Sequence, residues 1–208
     1  MTEEFGTVLP LFSTPIFFPK ETFEVSESLL QFIQSIELND GNLRKRQSID
    51  SYILDREELS ELKQFLEKQL NVYVQDVLKF KDNEFYITQS WVSVLLPGED
   101  HYAHWHQNSL VSGVFYVCGD DNPIVFRTIH GDPPFGRSWY FKSSEYNLWN
   151  SGSWSFDNTK NTVILFPSTT EHYVGEHIGM GHRMSIAFNS FVKGSVGDVN
   201  TKTELIFR

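Results

Sequence analysis

Apolar residues recur at helical spacing through the first third of the chain and at alternate positions through much of the remainder. Within SESLLQFIQSIEL (26–38), Leu29, Phe32, Ile33 and Ile36 stand at i, i+3, i+4 and i+7, which predicts a helix with one apolar face. A second helix is predicted from Asp55, a capping residue type, with Glu58 three residues later completing a box-like start. Its apolar positions Leu59, Leu62, Leu66, Leu70, Val74 and Val77 give a stripe about six turns long, suited to packing on a sheet. Ahead of both, VLPLFSTPIFFPK (8–20) reads as one or two short, proline-broken strands at a sheet edge.

From Glu84 the pattern changes to strands and turns. FYITQSWVSVLL (85–96) alternates, PGED turns the chain, and LVSGVFYV (110–117) is a second run. GDDNP (119–123) is a strong turn signal, and PIVFRTI, TVILFPS and RMSIAFNSFV are further strands. The stretch from His130 to Lys160 reads as a long excursion, whose Trp139, Tyr140, Trp149 and Trp154 are candidates for a lid over a substrate or for a small satellite core. Helices followed by many antiparallel strands predict an α+β, mainly β chain: a sandwich or barrel carrying helices on one side. With 208 residues and 40% apolar content, one domain over 1–208 is expected, with 1–83 supplying the N-terminal strand and helices and 84–208 the β core.

Composition narrows the function classes. A net charge of −10 argues against nucleic acid as a partner, and the one basic run, Arg44 to Gln47, reads as solvated loop. No apolar run approaches the 18 residues of a membrane span and no signal peptide is visible, so the expected location is the cytoplasm. The single cysteine, Cys118, excludes an internal disulfide and reads as a small buried hydrophobe.

Candidate chemistry concentrates in HYAHWHQN. Residues two apart on a strand share a face, so His104 and His106 project together, and two ring nitrogens can converge on one ion at about 2.0–2.1 Å. A third ligand must come from elsewhere, and His172, which follows a strand and a proline turn, is the candidate. His101, His130, His177 and His182 read as surface or loop residues. Arg183 shares a strand face with Ser185, and a buried guanidinium aimed at a metal calls for an anionic partner, best a carboxylate.

PGEDHYAHWHQNSLVSGVFYV, ILFPSTTEH and HRMSIAFN resemble the corresponding segments of the 2-oxoglutarate and Fe(II)-dependent oxygenases, and more narrowly a branch from marine bacteria and phages. The similarity runs from about Ser90 to Phe191, with LFSTPIF near the start also fitting. It implies a double-stranded β-helix (a cupin-like jelly roll) with N-terminal helices packed on one sheet. It also implies Fe(II) as cofactor, 2-oxoglutarate as cosubstrate and a dioxygenase that hydroxylates a small-molecule or peptide substrate. His104 matches the first metal ligand, His172 the distal one, Arg183 the basic residue for the cosubstrate's far carboxylate, and Ser185 the hydroxyl beside it. His106 departs from the pattern, since the superfamily places a carboxylate there; Glu99, Asp100, Asp120, Asp121 and Glu171 are the nearby alternatives. Two rival readings remain. Gly98, His104-x-His106 and Pro167 five residues before His172 also match a three-His cupin without the keto acid, although residues 107–111 lack the cupin glutamate. The other is a metal-free jelly-roll binding protein.

Overall fold

The computed structural model describes residues 6–39, 46–81, 83–119, 122–128 and 141–207. Both periodic stretches form helices, each shorter than its apolar stripe. The first, α1 (Glu27–Ser35), begins where Ser26 Oγ accepts the Leu29 N–H at 3.2 Å, satisfying one orphan donor of the first turn. The second is divided: two 3₁₀ turns (Ile53–Asp55 and Glu57–Leu59) lead into α2 (Ser60–Asn71), and a π-helical turn (Val72–Val77) follows it. Asp55 is therefore not the cap; it accepts the Lys63 ammonium at 2.8 Å, and Leu59 holds the N-cap position. The reason is local packing. Ile53 and Leu54 are fully buried and the Leu54 N–H donates to Ser90 Oγ at 3.0 Å, which pins this segment in tight turns before a helix can start.

The strands are β1 (Arg46–Gln47), β2 (Glu84–Leu95), β3 (His101–His104), β4 (Val111–Cys118), β5 (Ile124–Arg127), β6 (Ser153–Phe156), β7 (Val163–Pro167), β8 (Glu171–Val174), β9 (Arg183–Val196) and β10 (Leu205–Phe207). Among the described residues they form two antiparallel sheets, ordered β1-β2-β9-β4-β7 with β10 also on β9, and β3-β8-β5-β6. This is the predicted jelly roll. The segment 8–20 forms no strand, because Pro10, Pro15 and Pro19 each lack an N–H. Only Phe17 pairs, exchanging both backbone bonds with Leu165. Four short strands go beyond the sequence reading: β1 inside the basic run, β6 inside the excursion, β8 around His172, and β10.

Strand alternation sorts the core into two layers. On β9, Met184, Ile186 and Phe188 face the helices and pack with Leu62, Leu66 and Leu70 of α2, while Arg183, Ser185 and Ala187 face the space between the sheets. Each fully buried leucine on α2 contributes roughly 1.5–3 kcal/mol of transfer free energy. On β2 the register with β9 skips Thr88, a bulge that changes parity. Phe85 and Ile87 before it and Val92 and Val94 after it thereby share the helix side, and Trp91 and Ser93 are turned into the barrel. The barrel floor is a second cluster of Tyr116, Ile124, Phe126, Ile164 and Phe166. No described helix is long and apolar enough to cross a membrane.

Candidate metal centre

β3 and β8 are hydrogen-bonded neighbours in which His104 lies directly opposite His172. Cross-strand partners project to one face, and these two rings have centroids 4.4 Å apart. His106 lies two residues past the end of β3, not on it, so strand parity alone does not place it. Its backbone N–H donates to Ser168 O at 2.9 Å, which ties the segment to the turn between β7 and β8. That tie brings its ring to 5.2 Å from both other imidazoles, and one nitrogen from each of the three residues lies within 4.8 Å of the others.

Hydrogen bonds assign the tautomer of every ring. His104 Nδ1 lies 2.8 Å from Tyr102 O and His172 Nδ1 lies 2.9 Å from Thr170 O, the carbonyl two residues back in each case. His106 Nδ1 lies 2.6 Å from the side-chain oxygen of Asn189. Carbonyl oxygens only accept, so each Nδ1 carries the hydrogen and each Nε2 carries the lone pair. This is the arrangement of metal-ligating histidines, whose second nitrogen donates to a fixed acceptor. Burial pushes the His106 imidazolium down to about 4 and that of His172 down to about 3, with the neighbouring His104 adding to both shifts. Both rings are therefore neutral near pH 7, the form a metal requires.

No carboxylate joins this cluster among the described residues. Glu99 accepts the Leu96 N–H at 2.9 Å and faces Arg46 at 3.3 Å, while Glu171 pairs with Arg127. Asp120 and Asp121 lie outside the described residues, as do His130, Trp139 and Tyr140. Trp149 and Trp154 line a cavity of about 450 Å³ that includes none of the three histidines. His182 is exposed as expected, but His177 is not a surface residue. It is 2% exposed, with its backbone paired to Gly98 and Glu99 and its Nε2 donating to Gly181 O at 2.9 Å. Cys118 is half-buried at a strand end instead of enclosed in the core.

Arg183 faces the histidines across a narrow cavity of about 40 Å³ that Trp91, Ser185 and the three imidazoles also line. The residue is 3% exposed, and no carboxylate lies within ion-pair reach of it among the described residues. Its Nε donates to Asn122 O at 3.2 Å and one terminal nitrogen to Ser185 Oγ at 3.4 Å. Its guanidinium carbon lies 5.3 Å from the Tyr116 ring centroid, and the buried Tyr116 hydroxyl has no hydrogen-bond partner among the described residues. Burial lowers the arginine's pKa and raises the phenol to about 12, against the opposing pull of the adjacent guanidinium. A buried cation with no carboxylate partner among the described residues, beside a buried phenol, is an environment in which an anion would offset the cost of burial.

Sequence comparison reaches the same chemistry. Residues 89–189 match the family model described as "Putative 2OG-Fe(II) oxygenase". Over this segment, just under half of the chain, the sequence is similar to the 2-oxoglutarate/Fe(II) oxygenases. The matched range nearly coincides with the Ser90–Phe191 similarity seen in the sequence. Among curated proteins, none matches the chain. Solved structures share the fold. HygX from Streptomyces hygroscopicus, crystallised with nickel, 2-oxoglutarate and hygromycin B, is 13% identical, with 85% of this chain and 82% of that one aligned at a TM-score of 0.58. A 2OG-Fe(II) oxygenase family oxidoreductase from Burkholderia pseudomallei is 12% identical, with 79% and 78% aligned at 0.54.

Against that superfamily background, two polar residues stand out that sequence reasoning passed over. Asn189 was legible as a polar position in phase with Arg183 and Ser185 on the same strand. Tyr116 was legible only as one more aromatic in LVSGVFYV; its place beside Arg183 comes from the β4–β9 register, in which it lies opposite Ser185.

Proposed function

We propose that the protein is an Fe(II)- and 2-oxoglutarate-dependent dioxygenase, folded as one domain over 1–208, that hydroxylates a small-molecule or peptide substrate. His104, His106 and His172 serve as the metal ligands, and Arg183 with Ser185 holds the cosubstrate's distal carboxylate. The observation that carries this reading is the pairing in one cavity of three clustered imidazoles with a buried guanidinium that has no carboxylate partner among the described residues. When bound, Fe(II) supplies activation of O₂ coupled to oxidative decarboxylation of the keto acid.

The chain's own residues position and shield. Arg183 offers a planar fork to a carboxylate, and Ser185 and the Tyr116 hydroxyl are placed to donate to the same group. With no carboxylate among the ligands, the site keeps one more unit of positive charge than a two-His-one-carboxylate set. A dianionic cosubstrate offsets that excess. Trp91 stacks on His106 with ring centroids 5.7 Å apart and closes one wall of the cavity against water. Substrate approaches from a cleft of about 270 Å³ that shares His104 and His106 with the inner cavity and is rimmed by Gln47, Gln89 and Trp105. A three-His cupin without a keto acid shares the metal ligands but leaves Arg183 and Ser185 with no task.

Titration of the anaerobic Fe(II) protein with 2-oxoglutarate separates these readings. A weak visible charge-transfer band is expected on saturation, and Arg183→Ala, which removes one partner of a buried charge pair worth about 2–5 kcal/mol, should weaken 2-oxoglutarate binding by roughly 30- to 5000-fold. Protein that binds metal, yet gives no band and no response to Arg183→Ala, is the cupin.

A further inference from the structure

We infer that Asn189 is a positioning residue that enables a histidine to stand where the superfamily has a carboxylate, by fixing which nitrogen of His106 carries the proton. This rests on the metal reading above. The Asn189 side-chain oxygen takes two hydrogen bonds, from His106 Nδ1 at 2.6 Å and from Ser112 Oγ at 3.0 Å. An oxygen there selects the Nδ1–H tautomer and leaves the Nε2 lone pair facing His104 and His172. The opposite amide orientation would put an N–H against Nδ1, select the Nε2–H tautomer and remove that lone pair.

A line of hydroxyls runs on from this amide. Ser109 Oγ lies 2.7 Å from Ser168 Oγ, and Ser168 Oγ lies 2.7 Å from Ser112 Oγ. Each hydroxyl has one hydrogen, so when Ser112 donates to Asn189 it accepts from Ser168, which in turn accepts from Ser109, whose hydrogen also has Val111 O and Ser190 O as acceptors at 3.2 Å each. Ser109, Ser112 and Ser168 are buried and Asn189 is 8% exposed, so the line is built from protein groups. The same turn fixes the His106 backbone, since Ser168 O accepts its N–H. β9 thus contributes both Arg183 and, six residues on with the same strand phase, the acceptor that orients His106. The two serines that follow the H-x-H motif, which have no place in the proposed chemistry itself, acquire a role.

The test is long-range ¹H–¹⁵N correlation of the histidine rings in metal-free protein at pH 8, alongside Co(II) titration. Wild type and Asn189→Asp, which keeps an acceptor, should both show His106 protonated at Nδ1. Asn189→Leu should show mixed tautomers and bind Co(II) about 10- to 100-fold more weakly, the loss typical of removing a ligand's orienting partner. Ser112→Ala, which frees the amide to turn, should give an intermediate result and stands in if the leucine variant does not fold. An Nε2–H tautomer in wild type, or an unchanged tautomer and Co(II) affinity in Asn189→Leu, overturns the assignment. Wild-type protein that takes up no Co(II) sinks the metal reading, and the tautomer spectra then decide the role of Asn189 by themselves.

Discussion

Burial holds His106 and His172 in a state that an exposed imidazole would leave near pH 6.5, and the consequence is a pH-dependent stability. Each folded-state value lies below the unfolded one, at about 4 and about 3, so the unfolded chain takes up protons that the native rings refuse. Above pH 6.5 neither ring contributes to the pH dependence. As pH falls from 6.5 toward 4, each ring should cost the metal-free protein about 1.4 kcal/mol per pH unit. Denaturant midpoints of metal-free protein between pH 7 and 5 check this. His106→Gln should make the decline shallower, and an unchanged slope would show that this ring titrates normally in the native state.

At the scale of elements, the centre depends on how closely β4, β7 and β9 pack. A Cβ built on Gly113 would come within 2.2 Å of Phe188 Cζ and 2.7 Å of Leu165 Cδ2, both on fully buried side chains. Gly113→Ala should therefore destabilise the protein by about 1–3 kcal/mol, the range for overpacking a well-filled core, as read by chemical denaturation. Wild-type stability in that variant would mean the sheet is looser than the register implies. The same level shows what could be foreseen. RMSIAFNSFV and TVILFPS were legible as strands, β9 and β7, because short, largely apolar runs between turn signals suit strands buried on both faces. The H-x-H, the distal histidine and Arg183 were legible for a related reason: few other tasks suit those residue types beside apolar strands. The start of α2 was not legible, since a buried hydrogen bond from Leu54 to Ser90, 36 residues away, overrides a good local capping pattern. Nor was the support of His106 legible, because Ser168, Ser112 and Asn189 meet only once three strands are in register.

The whole molecule, with a net charge of −10, surrounds a centre that carries a buried guanidinium and three clustered imidazoles. On the proposed reading, an anion held there would gain from local dipoles and charge in a narrow space of low polarity, where such interactions are stronger than in water. The two sheets bring these side chains together from different places: β3 and the segment after it, β8 beside it on the smaller sheet, and β9 of the larger one. The decisive measurement is an anomalous difference map at the iron edge from crystals loaded with Fe(II) under anaerobic conditions. The account predicts one peak about 2.0–2.2 Å from Nε2 of His104, His106 and His172 together. A map with no peak among the three rings, or a peak that His106 does not reach and a carboxylate such as Asp120 or Asp121 does, would contradict it.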